Sequence, residues 1–349
     1  MKAMRLHAIC DFTCEEVELP ELKDDEILLK VGACGVCGSD IPRVFELGAH
    51  VFPITIGHEF AGTIVKTANK KDEDLIGRKA AIFPLIPCGT CEFCKEEQFA
   101  QCTNYNYLGS RCDGGFAEYC VIPSKWQLVF SNDENTSMES LSLVEPATVA
   151  QHAVRKAKIS EGSNVLILGA GPIGLLAARF SKLFGAGQVA LTDISDEKID
   201  FAKEKGFQVF NTLEEGSGKE IQGFFKNHKI DVVIEGTGST AGLNTAIELI
   251  KPFGRIVMLG NPHGDTMIQL QNHSSILRKE IEFYGVWNSI YSDKELNEWK
   301  YTVEMIDTGK LKVDDLITHK VKLEDVAKLF SQIYHREITV CKAIYSKEV

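Results

Sequence analysis

No run of eighteen apolar residues occurs in this sequence, and basic residues never gather into a block. The first absence excludes a membrane-spanning helix. Residues Met1 to Cys10 also lack the apolar core of a signal peptide, so a cytoplasmic location with no membrane partner is expected. The second absence bears on partners. With 49 acidic against 38 basic side chains and a formal charge of −11, the chain is poorly suited to nucleic acid or an anionic bilayer. An anionic small molecule would need a local cluster of cations. Internal repeats and low-complexity segments are missing too. Cysteine, by contrast, is abundant. Eleven cysteines in a reducing compartment point to metal ligation or simple burial rather than to disulfides. Cys10, Cys14, Cys120 and Cys341 read as packing residues. So does Cys34, because the Cys34-x2-Cys37 pair lacks the βαβ surroundings of a thiol redox site.

At 349 residues and 44% hydrophobic, the chain can bury a large core, and its length suggests two domains. Short β-forming runs such as Glu26–Val31, punctuated by glycine and proline up to residue 115, predict a β-rich first part. Its polar stretches Ala68–Asp74 and Ser131–Ser137 read as solvent-facing connections. From Asn164 the pattern changes to strand, glycine turn and helix in alternation. Strands are expected at Asn164–Leu168, Gln188–Thr192, Asp231–Glu235 and Arg255–Leu259, with helices at Ile173–Phe184, Glu197–Lys205 and Thr240–Ile250. That alternation predicts an α/β, doubly wound parallel sheet. Helices at Lys294–Thr308 and Leu323–Gln332 and a strand near Lys342–Tyr345 follow. The expected layout is a β-rich domain over 1–150, an α/β domain over 151–285, and a return to the first over 286–349.

Cys88-x2-Cys91-x2-Cys94-x7-Cys102 supplies four thiolates, enough to enclose one tetrahedral zinc. A closed shell has no open coordination position, so the role is structural: the ion folds a loop with little core of its own. The rival is an iron–sulfur cluster and an electron carrier. The bacterial ferredoxin run, however, closes after three residues with Cys-Pro, whereas here the gap is seven and Thr103 follows.

Val165–Leu168 ends in Gly169-Ala-Gly171-Pro172-Ile173-Gly174, which opens a helix, and Asp193 stands at the end of the next strand. Gly169 permits the tight turn, Gly171 admits a pyrophosphate close to the backbone, and Gly174 lets helix and strand pack. The unpaired N–H groups of the helix start then face the phosphates. Asp193 would accept hydrogen bonds from the adenosine ribose. No arginine follows it in Ile194-Ser195-Asp196, so NAD is expected rather than NADP.

Cys37 and His58 make a weak metal pair on spacing alone, since a lone histidine is more often a satisfied polar residue. Their surroundings carry more. Gly35-x-Cys37-Gly38-Ser39-Asp40, Gly57-His58-Glu59-x2-Gly62, the four-cysteine loop, the run from Asp113 to Tyr119 and the glycine turn resemble the zinc-containing medium-chain alcohol dehydrogenases, the polyol dehydrogenase branch in particular. The resemblance covers nearly the whole chain. It implies a GroES-like catalytic domain beside a Rossmann domain, two zinc ions per chain, NAD, and a homodimer or homotetramer. It implies Cys37, His58 and Glu145 as ligands of a catalytic zinc, with Glu59 orienting or transiently replacing a ligand. The residues alone leave Glu145 open, because a carboxylate before Pro146 also suits a helix start. A zinc with three protein ligands acts as a Lewis acid and lowers the pKa of an alcohol, which then gives up hydride readily. Ser39, beside the ligand, could take the alcohol's proton. Many members place a histidine where this chain has Pro42, so that relay is not carried over.

The resemblance implies a polyol or polyol phosphate substrate, with galactitol 1-phosphate oxidised to tagatose 6-phosphate as the expected case. Arg43 and Arg111, in the matching segments, are the candidate phosphate ligands, although each taken singly could equally be an ion-paired or surface arginine. Gly285-Val286-Trp287-Asn288 stands where plain polyol dehydrogenases carry an Arg-Tyr pair, which makes Asn288 a substrate candidate and leaves Trp287 as pocket wall or core. The alternatives are an unphosphorylated polyol, a butanediol or L-threonine as substrate, or a non-catalytic, zinc-stabilised dinucleotide-binding module.

Overall fold

A computed structural model describes residues 1–349 apart from 227–228, 263 and 295. The chain divides into two compact units, Met1–Pro146 with Ile290–Val349, and Ala147–Ser289. Among the described residues no helix is long and apolar enough to cross a membrane.

The first unit is built on a seven-stranded sheet whose centre is strand Ile27–Gly35. Its run of Ile, Leu, Val and Ala is buried on both faces, which accounts for the near-continuous apolar sequence. Strand Glu59–Thr67 pairs with it antiparallel on one side and Lys342–Ser346 on the other. The register sets Gly35 opposite both Glu59 and Ile344, so three strand ends distant in sequence meet at one place. Leu29, Val31, Phe60, Ile64, Phe116 and Phe330 form the centre of this unit's core. The returning segment is held by aromatic packing. Tyr291 stacks on Phe83 at 4.1 Å, and Trp299 meets the same ring edge-on at 5.2 Å.

The second unit is a six-stranded, all-parallel sheet in the order Gln208–Asn211, Val189–Asp193, Val165–Leu168, Val232–Glu235, Arg255–Met258, Glu282–Gly285. The strand order reverses direction between Val165–Leu168 and Val232–Glu235, and the loops at such a switch point form a ligand crevice. The two-unit architecture is therefore the GroES-like plus Rossmann arrangement expected from the sequence.

Several local expectations are corrected. The helix expected over 294–308 runs Glu298–Asp307, because Asn297 accepts the N–H groups of Trp299 and Lys300 as its cap; Glu295 lies outside the described residues. The helix expected at 323–332 opens as a 3₁₀ turn and becomes α-helical over Val326–Tyr334. Neither polar connection simply faces solvent. Asp72 is buried and paired with Lys125 at 2.8 Å, while Asp307 accepts hydrogen bonds from Ser131, Asn132 and Thr136. Cys10 is exposed at φ +65°, in the turn between the first two strands, and is not a packing residue.

Candidate active site

Cys37 leaves the central strand on a short helical turn, Asp40–Pro42, which runs into one π-helical turn, Arg43–Leu47. His58 and Glu59 enter the neighbouring strand from Gly57, whose φ of +98° only glycine adopts freely. A Cβ there would also strike Phe116 and the Cys34 sulfur. The sulfur of Cys37, an imidazole nitrogen of His58 and a carboxylate oxygen of Glu59 lie within 4.8 Å of one another.

The electrostatics of this cluster favour a bound cation. Asp40, Glu59 and Glu145 are all buried, against the cations Arg43 and Lys342. Burial would lower the His58 imidazole, but Asp40, Cys37 and Glu145 outweigh it and push it up to about 10. Burial also raises Asp40, and takes the Glu145 carboxyl up to about 7 against the pull of His58. His58 Nδ1 lies 3.6 Å from Asp40 Oδ1, too far for a hydrogen bond, and is a buried atom with no partner. Glu59 Oε2 lies against the Lys342 ammonium, yet the approach is not directed as a hydrogen bond. A buried nitrogen and a buried carboxylate oxygen without directed hydrogen bonds, beside a thiol sulfur, are the set a zinc ion would satisfy. The residues present thus fit the metal.

Lys342 was not visible as a site residue from sequence. It opens the last strand, is 3% exposed, pairs with Glu59, and donates to the Val36 carbonyl at 2.9 Å. Gly35 must lack a side chain because a Cβ would fall on Glu59 Oε2 and against Lys342. Lys342→Met is expected to lower the unfolding free energy by about 3–5 kcal/mol by leaving Glu59 buried without its countercharge. Urea denaturation checks this, and adding Glu59→Gln should recover much of the loss.

Glu145 lies in the first turn of helix Val144–Lys156 and accepts a hydrogen bond from the Tyr107 hydroxyl at 3.3 Å. It flanks the Cys37–His58–Glu59 group. Ser39 donates to the Cys37 sulfur at 3.2 Å and is exposed. Arg43 is engaged: it pairs with Asp40 three residues earlier and donates to Ser110 Oγ at 3.3 Å. Arg111 lies over the Tyr105 ring at 4.2 Å and donates to the Tyr105 carbonyl; among the described residues no carboxylate pairs with it. Trp287 is 58% exposed, which rules out core packing, and Asn288 accepts from Ser289 Oγ at 3.4 Å in the second unit. His152 is buried in that unit, while His50 is exposed in the first.

The four cysteine sulfurs at 88, 91, 94 and 102 also lie within 4.8 Å of one another. The Cys88–Cys94 and Cys91–Cys102 separations are both 3.9 Å. A disulfide needs about 2.05 Å. A zinc tetrathiolate with bonds near 2.3 Å has edges of about 3.8 Å. Backbone N–H groups of Cys88 and Cys91 already point at sulfur, at 3.3 and 3.4 Å. The lobe is anchored by Glu97, which accepts from Ser292 Oγ and from the Asp293 and Lys294 backbone.

In the second unit Gly169 has φ +105°, Gly171 is the extended cap of helix Pro172–Leu183, and Pro172 and Ile173 fill its first turn. A Cβ on Gly171 would meet nothing within 4 Å, whereas one on Gly174 would fall on the Gly169 carbonyl. The turn is therefore open on one side and closely packed on the other, as a phosphate cradle requires. Asp193 braces it, accepting from Ala170 N at 2.8 Å, Ile194 N at 2.8 Å and Ser195 N at 3.1 Å. Sequence reading passed over Glu235, directly opposite Leu168 across the switch point. Its buried carboxylate accepts from Thr237 N at 2.7 Å and Gly238 N, shaping a second glycine turn beside the first. The signal was present in Glu235-Gly-Thr-Gly-Ser239, which follows a strand and opens a helix.

Residues 23–132 match the alcohol dehydrogenase GroES-like domain, and residues 172–308 match the zinc-binding dehydrogenase domain. Galactitol 1-phosphate 5-dehydrogenase of Escherichia coli K12 is 36% identical over 321 residues, covering 91% of this chain and 92% of that protein. Sorbitol dehydrogenase of Bacillus subtilis is 31% identical, covering 93% of this chain and 91% of that one. The crystal structure of galactitol-1-phosphate dehydrogenase from Escherichia coli superposes with a TM-score of 0.91 at 34% identity, covering 99% of this chain and all of that one. On fold, sequence and the donor sets present, this chain is an oxidoreductase and belongs to the zinc-containing medium-chain alcohol dehydrogenases.

Proposed function

We propose that the protein oxidises a sugar-alcohol phosphate, galactitol 1-phosphate to tagatose 6-phosphate, and passes the hydride to NAD. The observation that carries the reading is the cluster of half-buried Cys37 with buried His58 and Glu59, whose Nδ1 and Oε2 are left without directed hydrogen bonds. Cys37, His58 and Glu145 would hold a catalytic zinc, with Glu59 poised as the exchanging carboxylate. Cys88, Cys91, Cys94 and Cys102 would hold a structural zinc. The catalytic ion supplies Lewis acidity, lowering the pKa of the substrate hydroxyl.

The chain's own groups do the rest. Ser39, hydrogen-bonded to the Cys37 sulfur and open to solvent, takes the hydroxyl proton and passes it outward. Lys342 pairs with Glu59 and holds it in place. Gly169, Gly171 and Gly174 admit the pyrophosphate, and Asp193 places a carboxylate where a 2′-phosphate would be repelled, which favours NAD over NADP. Arg111 takes the substrate phosphate, because Arg43 is already committed to Asp40. The working form is a cytoplasmic homodimer or homotetramer.

NADH formation measured in parallel on galactitol and galactitol 1-phosphate tests this. The phosphorylated compound should be used with a kcat/KM higher by about tenfold or more, the loss of a charged contact corresponding to roughly 1.5–3 kcal/mol. Arg111→Ala should remove that preference mainly through KM. Equal rates on both compounds would move the reading to an unphosphorylated polyol.

A further inference from the structure

Tyr107 lies in the short strand Asn106–Tyr107, which pairs with Leu85–Ile86, so Leu85 and Tyr107 are directly opposed. These two strands close the base of the four-cysteine lobe. The backbone is fixed at this point: the Tyr107 carbonyl accepts N–H groups from Ser110, Arg111 and Cys112 at 3.2, 2.9 and 3.3 Å. From this anchor the side chain reaches two proposed ligands at once. Its ring meets the His58 ring edge-on, 5.8 Å between centroids and 69° between planes. Its hydroxyl donates to Glu145 Oε1 at 3.3 Å.

We propose that Tyr107 is a positioning residue for the catalytic metal, setting the His58 imidazole through its ring and the Glu145 carboxylate through its hydroxyl. This rests on the reading of Glu145 as a metal ligand. The two carboxylates near the metal are then held by different means. Glu59 is held by the charge of Lys342, and Glu145 by a neutral phenol that fixes one oxygen without competing with the ion for charge. Groups that hydrogen-bond to metal ligands tune affinity by about 10–100-fold. The effect is directional: phenylalanine at this position would keep the ring against His58 and lose only the bond to Glu145.

The test compares wild type, Tyr107→Phe, Glu145→Gln and the double variant, all zinc-loaded. Zinc release to a chromophoric chelator is followed together with kcat and KM. Tyr107→Phe should release the labile zinc at least about tenfold more readily. It should retain the four-cysteine zinc and lose kcat with little change in the KM for NAD. The double variant should be no worse than Glu145→Gln alone, since a glutamine amide no longer ligates the ion and orienting its oxygen has no further effect on the metal. If Tyr107→Phe holds zinc like wild type while Glu145→Gln does not, the positioning role is wrong and the ligand reading stands. If Glu145→Gln itself holds zinc like wild type, the ligand reading fails and the positioning role with it. Additive losses in the double variant would also overturn the proposal, because they place the effect of Tyr107 elsewhere than on Glu145.

Discussion

Replacing Cys37 or His58 by alanine is expected to reduce kcat by at least about 10³-fold while leaving the fold intact. The size follows from the proposed role, since a Lewis acid contributes several kcal/mol of charge stabilisation in the transition state and each 1.36 kcal/mol is tenfold in rate. The fold should survive because both residues lie at strand ends. Cys37 follows the end of strand Ile27–Gly35, and His58 precedes Glu59–Thr67, so neither belongs to the apolar interior of the sheet. Removing His58 also removes a buried nitrogen that has no partner, which offsets part of the cavity it leaves. Far-ultraviolet circular dichroism and thermal melting, run beside NADH kinetics, separate loss of chemistry from loss of structure.

The second large effect concerns the four-cysteine lobe. Cys94→Ser is expected to open residues 88–102 and to destabilise the first unit by several kcal/mol, with the roughly 10–16 kcal/mol of isolated zinc-folded peptides as the upper bound. The lobe has little else to hold it. Cys94 and Cys102 are its buried apolar residues, Phe99 contributes one ring contact to Trp126 at 5.0 Å, and Glu97 supplies the bonds to residues 292–294. Limited proteolysis should cut selectively within the lobe, and hydrogen exchange should rise there and in Asn106–Tyr107. The second unit, whose core is formed by Leu166, Val233, Ile247 and Ile256, should be protected as before.

The glycine turn after Val165–Leu168 was readable as a strand–turn–helix because several signals coincide there. Val165–Leu168 is apolar throughout and fully buried, and the glycine spacing is tied to the geometry of the turn that follows. The four-cysteine loop was readable because its donors are close in sequence. Where donors come from distant segments, sequence carried much less. Glu145 and Glu59 could not be ranked, and Lys342 was missed, because its partner is set by strand register rather than by spacing. Arg43 shows a related difficulty: Asp40 three residues earlier suits a helical ion pair, and that local pairing takes the side chain. Helix Leu270–Lys279 leaves no apolar period, because its inward side carries Asn272 beside Ile276 while Leu270 and Leu277 are 88% and 68% exposed. Strand Glu282–Gly285 is four residues at the sheet edge and leaves as faint a trace. The division between the units falls inside helix Val144–Lys156, where neither glycine, proline-rich linker nor shift in composition marks it.

Metal content and NADH production, followed together as a chelator strips the enzyme, test the central claim most directly. Two zinc ions per chain are expected at the outset. The more labile one should leave with all turnover of galactitol 1-phosphate, and activity should return on adding zinc, while the other ion stays with its four thiolates. Undiminished NADH production from protein holding only the thiolate-bound ion would contradict the catalytic role assigned to Cys37, His58 and their carboxylate neighbours.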